Sequence, residues 1–249
     1  MAIPWVGARK NRPKPDSMTL TEHLGELRRR LLISLAAVAV GATVAVVLYG
    51  PILHFLLRPL CDVNGGRCTL YVTSPLDGLS LRVKIGAFGG LALASPVILW
   101  ELWRFVTPGL KAAEKRYAIP FVIASVSLFL GGGAVAYLTL PHALGFLRSV
   151  GGPSLKEIYN PIPYLGLILL MMTLFGLTFE FPVVLVSLQL ARVVTPAKLL
   201  GWWRWAVIGI TVVAAVFTPS SDPFSMFALA VPLTVFYFVS ILIGKLLGR

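Results

Sequence analysis

Acidic residues are scarce in this sequence: 10 Asp and Glu stand against 22 Lys and Arg in 249 residues, and charged residues are only 13% of the chain. Soluble domains carry about 25% charged residues, so an ordinary water-soluble globule is excluded. Cysteine is nearly absent, with Cys61 and Cys68 the two in the chain, which excludes a disulfide-built scaffold. The three histidines, His23, His54 and His142, are scattered, and none stands at zinc spacing from the cysteines. Also lacking are a glycine-rich nucleotide loop and any pairing of a nucleophile with a base. No catalysis, metal or cofactor is expected. Short strands of period two are missing as well, which excludes an outer-membrane barrel.

What the chain has instead is apolar length. It is 57% hydrophobic, and a bilayer span needs about 20 apolar residues. Six runs qualify or nearly do: Leu31–Tyr49, Leu79–Trp100, Tyr117–Leu140, Ile162–Leu190, Ala206–Phe217 and Phe224–Gly244. The expected fold is an all-α membrane protein of six transmembrane helices. Residues 1–16 are read as a basic, disordered tail and residues 17–249 as one membrane domain. The fourth run is long enough to tilt or bend, and Pro182 gives the bend a location. The fifth is short for an average bilayer, and the sixth, interrupted by Pro232, is a second candidate for shortness.

A net charge of +12 would suggest nucleic acid in a soluble protein. Here the Lys and Arg residues gather before Arg30, in Arg104–Arg116, in Arg192–Arg204 and after Gly244. Only Arg58, Arg67, Arg82, Lys84, Arg148 and Lys156 lie elsewhere. The positive-inside rule then places both termini in the cytoplasm and the cysteine loop outside. Membrane topology accounts for the charge, and no nucleic-acid partner is expected.

Beyond the spans, the sequence carries several local features. Thr19 to Glu22 fits a capping box, and Leu20, Leu24, Leu27 and Leu31 follow at helical spacing, so Thr19–Arg30 is expected to be an amphipathic interfacial helix. Glu26 is placed for an i,i+4 pair with Arg30. The stretch SPVILWELWRFVTPGLKAAEKR, residues 95–116, turns on Pro108-Gly109 and sets Glu114 among Arg104, Lys111, Lys115 and Arg116. It suits either a docking surface for a basic peptide or a capped hairpin with tryptophan anchors. Glu180 lies within the fourth run, where an ionised carboxylate costs on the order of 2.5–3.5 kcal/mol. Protonating an ordinary Glu at pH 7 costs a similar amount, roughly 3.7 kcal/mol. Either form needs a partner or a wet cavity, for function or for helix contact. Cys61 and Cys68 can be two free thiols or, facing an oxidising compartment, a disulfide. Gly86 and Gly90 form a GxxxG that permits close helix approach, while Gly131–Gly133 are expected to weaken the third span.

Several of these pieces together resemble one family. EHLGELRRRL at 22–31, RPL at 58–60, the 95–116 stretch, FGLTFEFPV at 175–183 and FTPSSDPFS at 217–225 are similar, in order, to TatC, the polytopic receptor subunit of the twin-arginine translocase. The resemblance implies a cupped six-helix bundle in the cytoplasmic membrane. Such a bundle binds twin-arginine signal peptides of folded cargo and joins an oligomeric complex with single-span TatA- and TatB-type subunits. It exports that cargo with the proton gradient as energy source. Residue by residue, the resemblance places Glu26, Arg28, Phe105 and Glu114 at signal-recognition positions. Glu180 takes an intramembrane or partner position, and Pro59, Pro96, Pro108 and Asp222 take structural or transport positions. The chain departs from the family where Met226 and Phe238 replace a usual Gln and Glu, and TPSSDP is one residue longer. The competing reading is a proton-coupled secondary transporter with Glu180 as carrier, though no internal repeat between the halves supports it.

Overall fold

The computed structural model describes residues 20–63, 70–106, 118–151, 160–219 and 222–247, and every regular element among them is helical. They are α1 (Leu20–Val47), α2 (Tyr49–Val63), α3 (Asp77–Val106), α4 (Ala118–Gly151), α5 (Pro161–Phe179), α6 (Phe181–Leu190), α7 (Pro196–Gly201), α8 (Trp203–Phe217) and α9 (Pro223–Leu246). Among the described residues, five spans are long and apolar enough to cross a membrane: α1, α3, α4, α5 with α6, and α9; α8 is the shorter sixth. At 15 residues, α8 is about 22 Å long, against a hydrocarbon core of about 30 Å. The last helix, at 24 residues, is full length despite Pro232, so α8 alone is short among the described spans.

Four boundaries differ from the sequence expectation. The interfacial helix and the first span are one uninterrupted helix, α1, because nothing between Arg30 and Leu31 breaks it and extending a helix is easier than nucleating another. Thr19 of the expected capping box lies outside the described residues. The loop after the first span contains α2, which carries His54, and α4 continues through Pro141 to Gly151, carrying His142. Neither histidine is therefore in a loop. Arg192–Arg204 includes the short helix α7, entered through a turn in which Arg192 adopts a positive φ of 59°.

Asx and Thr residues open several of these helices. Asn160, Thr195 and Asp222 are N-caps of α5, α7 and α9, each accepting a backbone N–H and each followed by proline. The side chain satisfies an orphan donor, and proline at N1 gives up an N–H that had no helical partner.

Prolines inside helices strip a partner from the carbonyl four residues earlier. In two cases a hydroxyl replaces it. Pro59 leaves the Phe55 carbonyl, and Tyr137 of α4 donates to it at 2.9 Å while its ring stacks on Phe55. Pro96 leaves the Ala92 carbonyl, and the buried Ser95 hydroxyl donates to it at 2.8 Å. These two family positions are thus helix-shaping residues whose lost bonds are made good locally.

The core centres on α5, whose Leu165, Ile168, Met171 and Phe175 are buried against Ile85 of α3, Leu140 of α4 and Leu229 and Leu233 of α9. Two helix crossings are built on glycine. A Cβ at Gly90 would lie 2.7 Å from the Ala42 nitrogen, and one at Gly86 would lie 2.9 Å from Val46, so the GxxxG is the crossing of α3 with α1. A Cβ at Gly132 would lie 2.6 Å from the Phe175 oxygen, and one at Gly176 would lie 2.9 Å from the Phe129 oxygen. Within the Gly131–Gly133 run, Gly132 therefore seats α4 closely against α5.

Basic residues at the other end of the bundle from Arg30 make internal contacts. Lys84 donates to the Ile162 carbonyl at 3.3 Å, Arg148 donates to Val63 at 3.3 Å, and the Arg82 guanidinium sits 5.3 Å from the Tyr49 ring. Asp77 closes the same end by accepting from Thr73 and Ser74, with Asn160 donating to Thr73 at 2.7 Å. Cys61, in the last turn of α2, is disulfide-bonded; Cys68 lies outside the described residues.

Candidate functional site

The close α1–α3 crossing aligns the start of α1 with the end of α3, and there the scarce carboxylates collect. Arg30 donates from Nε to Glu26 Oε1 at 3.1 Å, its Nη2 contacts the same oxygen, and its Nη1 donates to Glu101 Oε2 at 3.0 Å. Arg104 Nη1 lies 4.0 Å from the other Glu101 oxygen. The result is a line of alternating charge, Glu26–Arg30–Glu101–Arg104, joining two helices. Glu101 is buried, with 7% of its surface exposed, and Arg104 is exposed. Glu26 Oε2 is buried, and among the described residues it has no hydrogen-bond partner. A buried carboxylate oxygen without a donor is costly, so a donor admitted by a shift of the surrounding groups would relieve that cost.

The expected i,i+4 pair of Glu26 and Arg30 is present; its link to Glu101 was not expected. Helix periodicity cannot show a contact between residues 71 apart in sequence. The available signal was scarcity: Glu101 is one of ten acids, and it stands between Trp100 and Trp103 in the stretch already singled out. Arg28 is on the exposed surface of α1, and Phe105 is half-buried in the last turn of α3. Trp103 packs its ring 4.5 Å from Phe121, fastening the end of α3 to the start of α4. Glu114 and Pro108 lie outside the described residues.

A second cluster sits in the middle of the bundle. Helix α5 ends and α6 begins at Glu180, where Pro182 forces the break. Glu180 is half-buried, and its neighbour across the crossing is Ser125 of α4. Glu180 Oε1 and Ser125 Oγ are both buried and neither completes a hydrogen bond of ordinary geometry. On the other side of the break, the Ser240 hydroxyl of α9 lies 3.4 Å from the Pro182 carbonyl. Gln189 of α6 donates to the Ser240 carbonyl at 3.0 Å. The break thus lies among buried polar groups of α4, α6 and α9.

The remaining positions are structural in their contacts. Asp222 is buried and its carboxylate accepts from the Ser225 N–H at 2.7 Å, opening α9. Pro59 is buried in α2, and Pro96 is exposed on α3. Met226 packs against the core, while Phe238 is 41% exposed with its ring 6.5 Å from Trp203.

Comparison with known proteins places this architecture. Residues 22–232 match the family described as TatC: Sec-independent protein translocase protein (TatC). A relative from Frankia casuarinae, named Sec-independent protein translocase protein TatC, is 40% identical over 98% of this chain and 70% of its own length. One of the same name from Aquifex aeolicus is 37% identical over 93% of this chain and 97% of its own. A solved structure described as the twin arginine translocase receptor TatC superposes with a TM-score of 0.75 at 36% identity, covering 92% of this chain and 100% of that one. A second, in DDM, gives 0.77 at 34% identity over 90% and 99%. A match over nearly the whole chain in sequence, and again in backbone, leaves one conclusion: this chain is a member of the TatC family of Sec-independent protein translocase proteins.

Proposed function

We propose that this chain is the receptor subunit of a twin-arginine translocase. It binds the adjacent arginines of signal peptides at the cytoplasmic ends of α1 and α3 and assembles with TatA- and TatB-type subunits to export folded proteins, without catalysis of its own. The observation that carries the reading is the carboxylate Glu26, held at a helix end in a TatC-family bundle with one buried oxygen left without a donor. A guanidinium is a planar fork of donors suited to a carboxylate, and an ammonium is not. Glu114 is the second carboxylate of this site, Arg28 borders it, and Phe105 supplies an apolar face. Glu180, bent into the bundle interior, serves as a polar contact for a partner helix or cargo.

Copurification with a twin-arginine signal peptide tests this directly. The purified protein should retain that peptide and release a twin-lysine version of it. Equal retention of both would overturn the reading.

The site must also face the cytoplasm. Reporter fusions at residues 10, 110, 198 and 247 should report inside, and fusions at 65, 152 and 221 outside. A carboxyl terminus on the outer side would remove the proposed orientation.

A further inference from the structure

Resting on that reading, we infer that Arg30 is an internal stand-in for a signal arginine, and that Glu101 is the positioning residue that receives Arg30 when Glu26 is handed to the incoming guanidinium.

The geometry sets up this exchange. Two nitrogens of the Arg30 fork engage a single oxygen of Glu26, and a third already reaches Glu101. Glu26 is thus occupied by a guanidinium of its own chain, on one oxygen, while the other is buried and without a donor. An arriving guanidinium can reach this carboxylate only as Arg30, which lies on it, gives way. Two cations on one carboxylate repel each other. With Glu101 present, Arg30 turns its fork toward a second, buried carboxylate that it already contacts. The charges then alternate without interruption: signal arginine, Glu26, Arg30, Glu101, Arg104. Without Glu101, Arg30 stays on Glu26 and competes with the ligand. Glu101 never needs to touch the signal peptide.

The test is a double-mutant cycle read by titrating the purified full-length protein with a twin-arginine signal peptide. Glu101→Gln is expected to weaken binding by about 5- to 30-fold, the range set by one to two kcal/mol. Adding Arg30→Gln to Glu101→Gln removes the competitor and should return affinity to within about threefold of wild type, a coupling of the size seen between contacting residues. A loss that came only from misfolding, or from breaking the α1–α3 clamp, would not be rescued by deleting the clamp's second member. Wild-type affinity in Glu101→Gln, or a double variant no tighter than Glu101→Gln alone, would overturn the inference. Glu26→Gln separates the two levels. If it loses binding while Glu101→Gln does not, the inference fails and the receptor reading stands. If Glu26→Gln binds like wild type, the site itself is misassigned.

Discussion

Replacing Gly132 by valine is expected to destabilise the protein by about 3 kcal/mol or more, while the same replacement at Gly131, one residue earlier, should change stability by less than about 1 kcal/mol. Both glycines lie in the same helix, so intrinsic helix propensity treats them alike. Their surroundings do not. A Cβ at Gly132 meets the Phe175 carbonyl oxygen at 2.6 Å and the Gly176 Cα at 2.9 Å; at Gly131 nothing lies within 4 Å. The obstructing atoms are backbone, so no rotamer change relieves the clash and α4 and α5 must separate. Inside a bilayer, helix association rests largely on such close packing. The separation would also disturb the core around Phe175 and part Ser125 from Glu180. Unfolding followed by tryptophan fluorescence in mixed detergent micelles measures both variants. Equal losses at the two positions would show that the crossing does not depend on contact at Gly132.

The glycines also mark where sequence reading ended. Apolar length and proline made the spans legible, because a bilayer imposes a length and helices answer to it. The bend at Pro182, the short fifth span and the pairing of Glu26 with Arg30 were legible for the same reason: each is local. Whether a glycine seats a neighbouring helix depends on what crosses it, and the sequence of Gly131–Gly133 does not show that Gly132 meets α5. The Asn160-Pro161, Thr195-Pro196 and Asp222-Pro223 pairs were legible in principle, since a cap residue before proline is a local signal. Glu101 was not. Its contact with Arg30 is set by the register at which α1 meets α3, and that register is fixed by Gly86 and Gly90 against Ala42 and Val46. Half of the ion-pair line was therefore visible in the sequence, and the half that spans two helices required the crossing.

The other large effect is expected at Glu114. A receptor for two adjacent arginines needs more than one carboxylate, and in the proposed site Glu26, near the start of α1, is one. Residues 107–117 join α3 to α4, whose facing ends are held together by the Trp103–Phe121 contact at 4.5 Å. Glu114 is the acid of that connection, surrounded in sequence by Lys111, Lys115 and Arg116. Cations there would repel an arginine-bearing peptide unless a carboxylate offsets them, so the local balance of charge rests on this side chain. A hydrogen bond to a charged group contributes about 1.5–3 kcal/mol, and Glu114→Ala should therefore weaken signal-peptide binding by about 10- to 150-fold. Glu114→Lys should weaken it further, because it replaces an attraction with a repulsion in a connection that already carries an excess of positive charge. The difference between the two variants should shrink as salt is raised, since the added repulsion is screened and the lost hydrogen bond is not. Peptide titrations at two ionic strengths measure all of this. Wild-type affinity in both variants, with arginine still preferred over lysine, would move the second recognition carboxylate elsewhere.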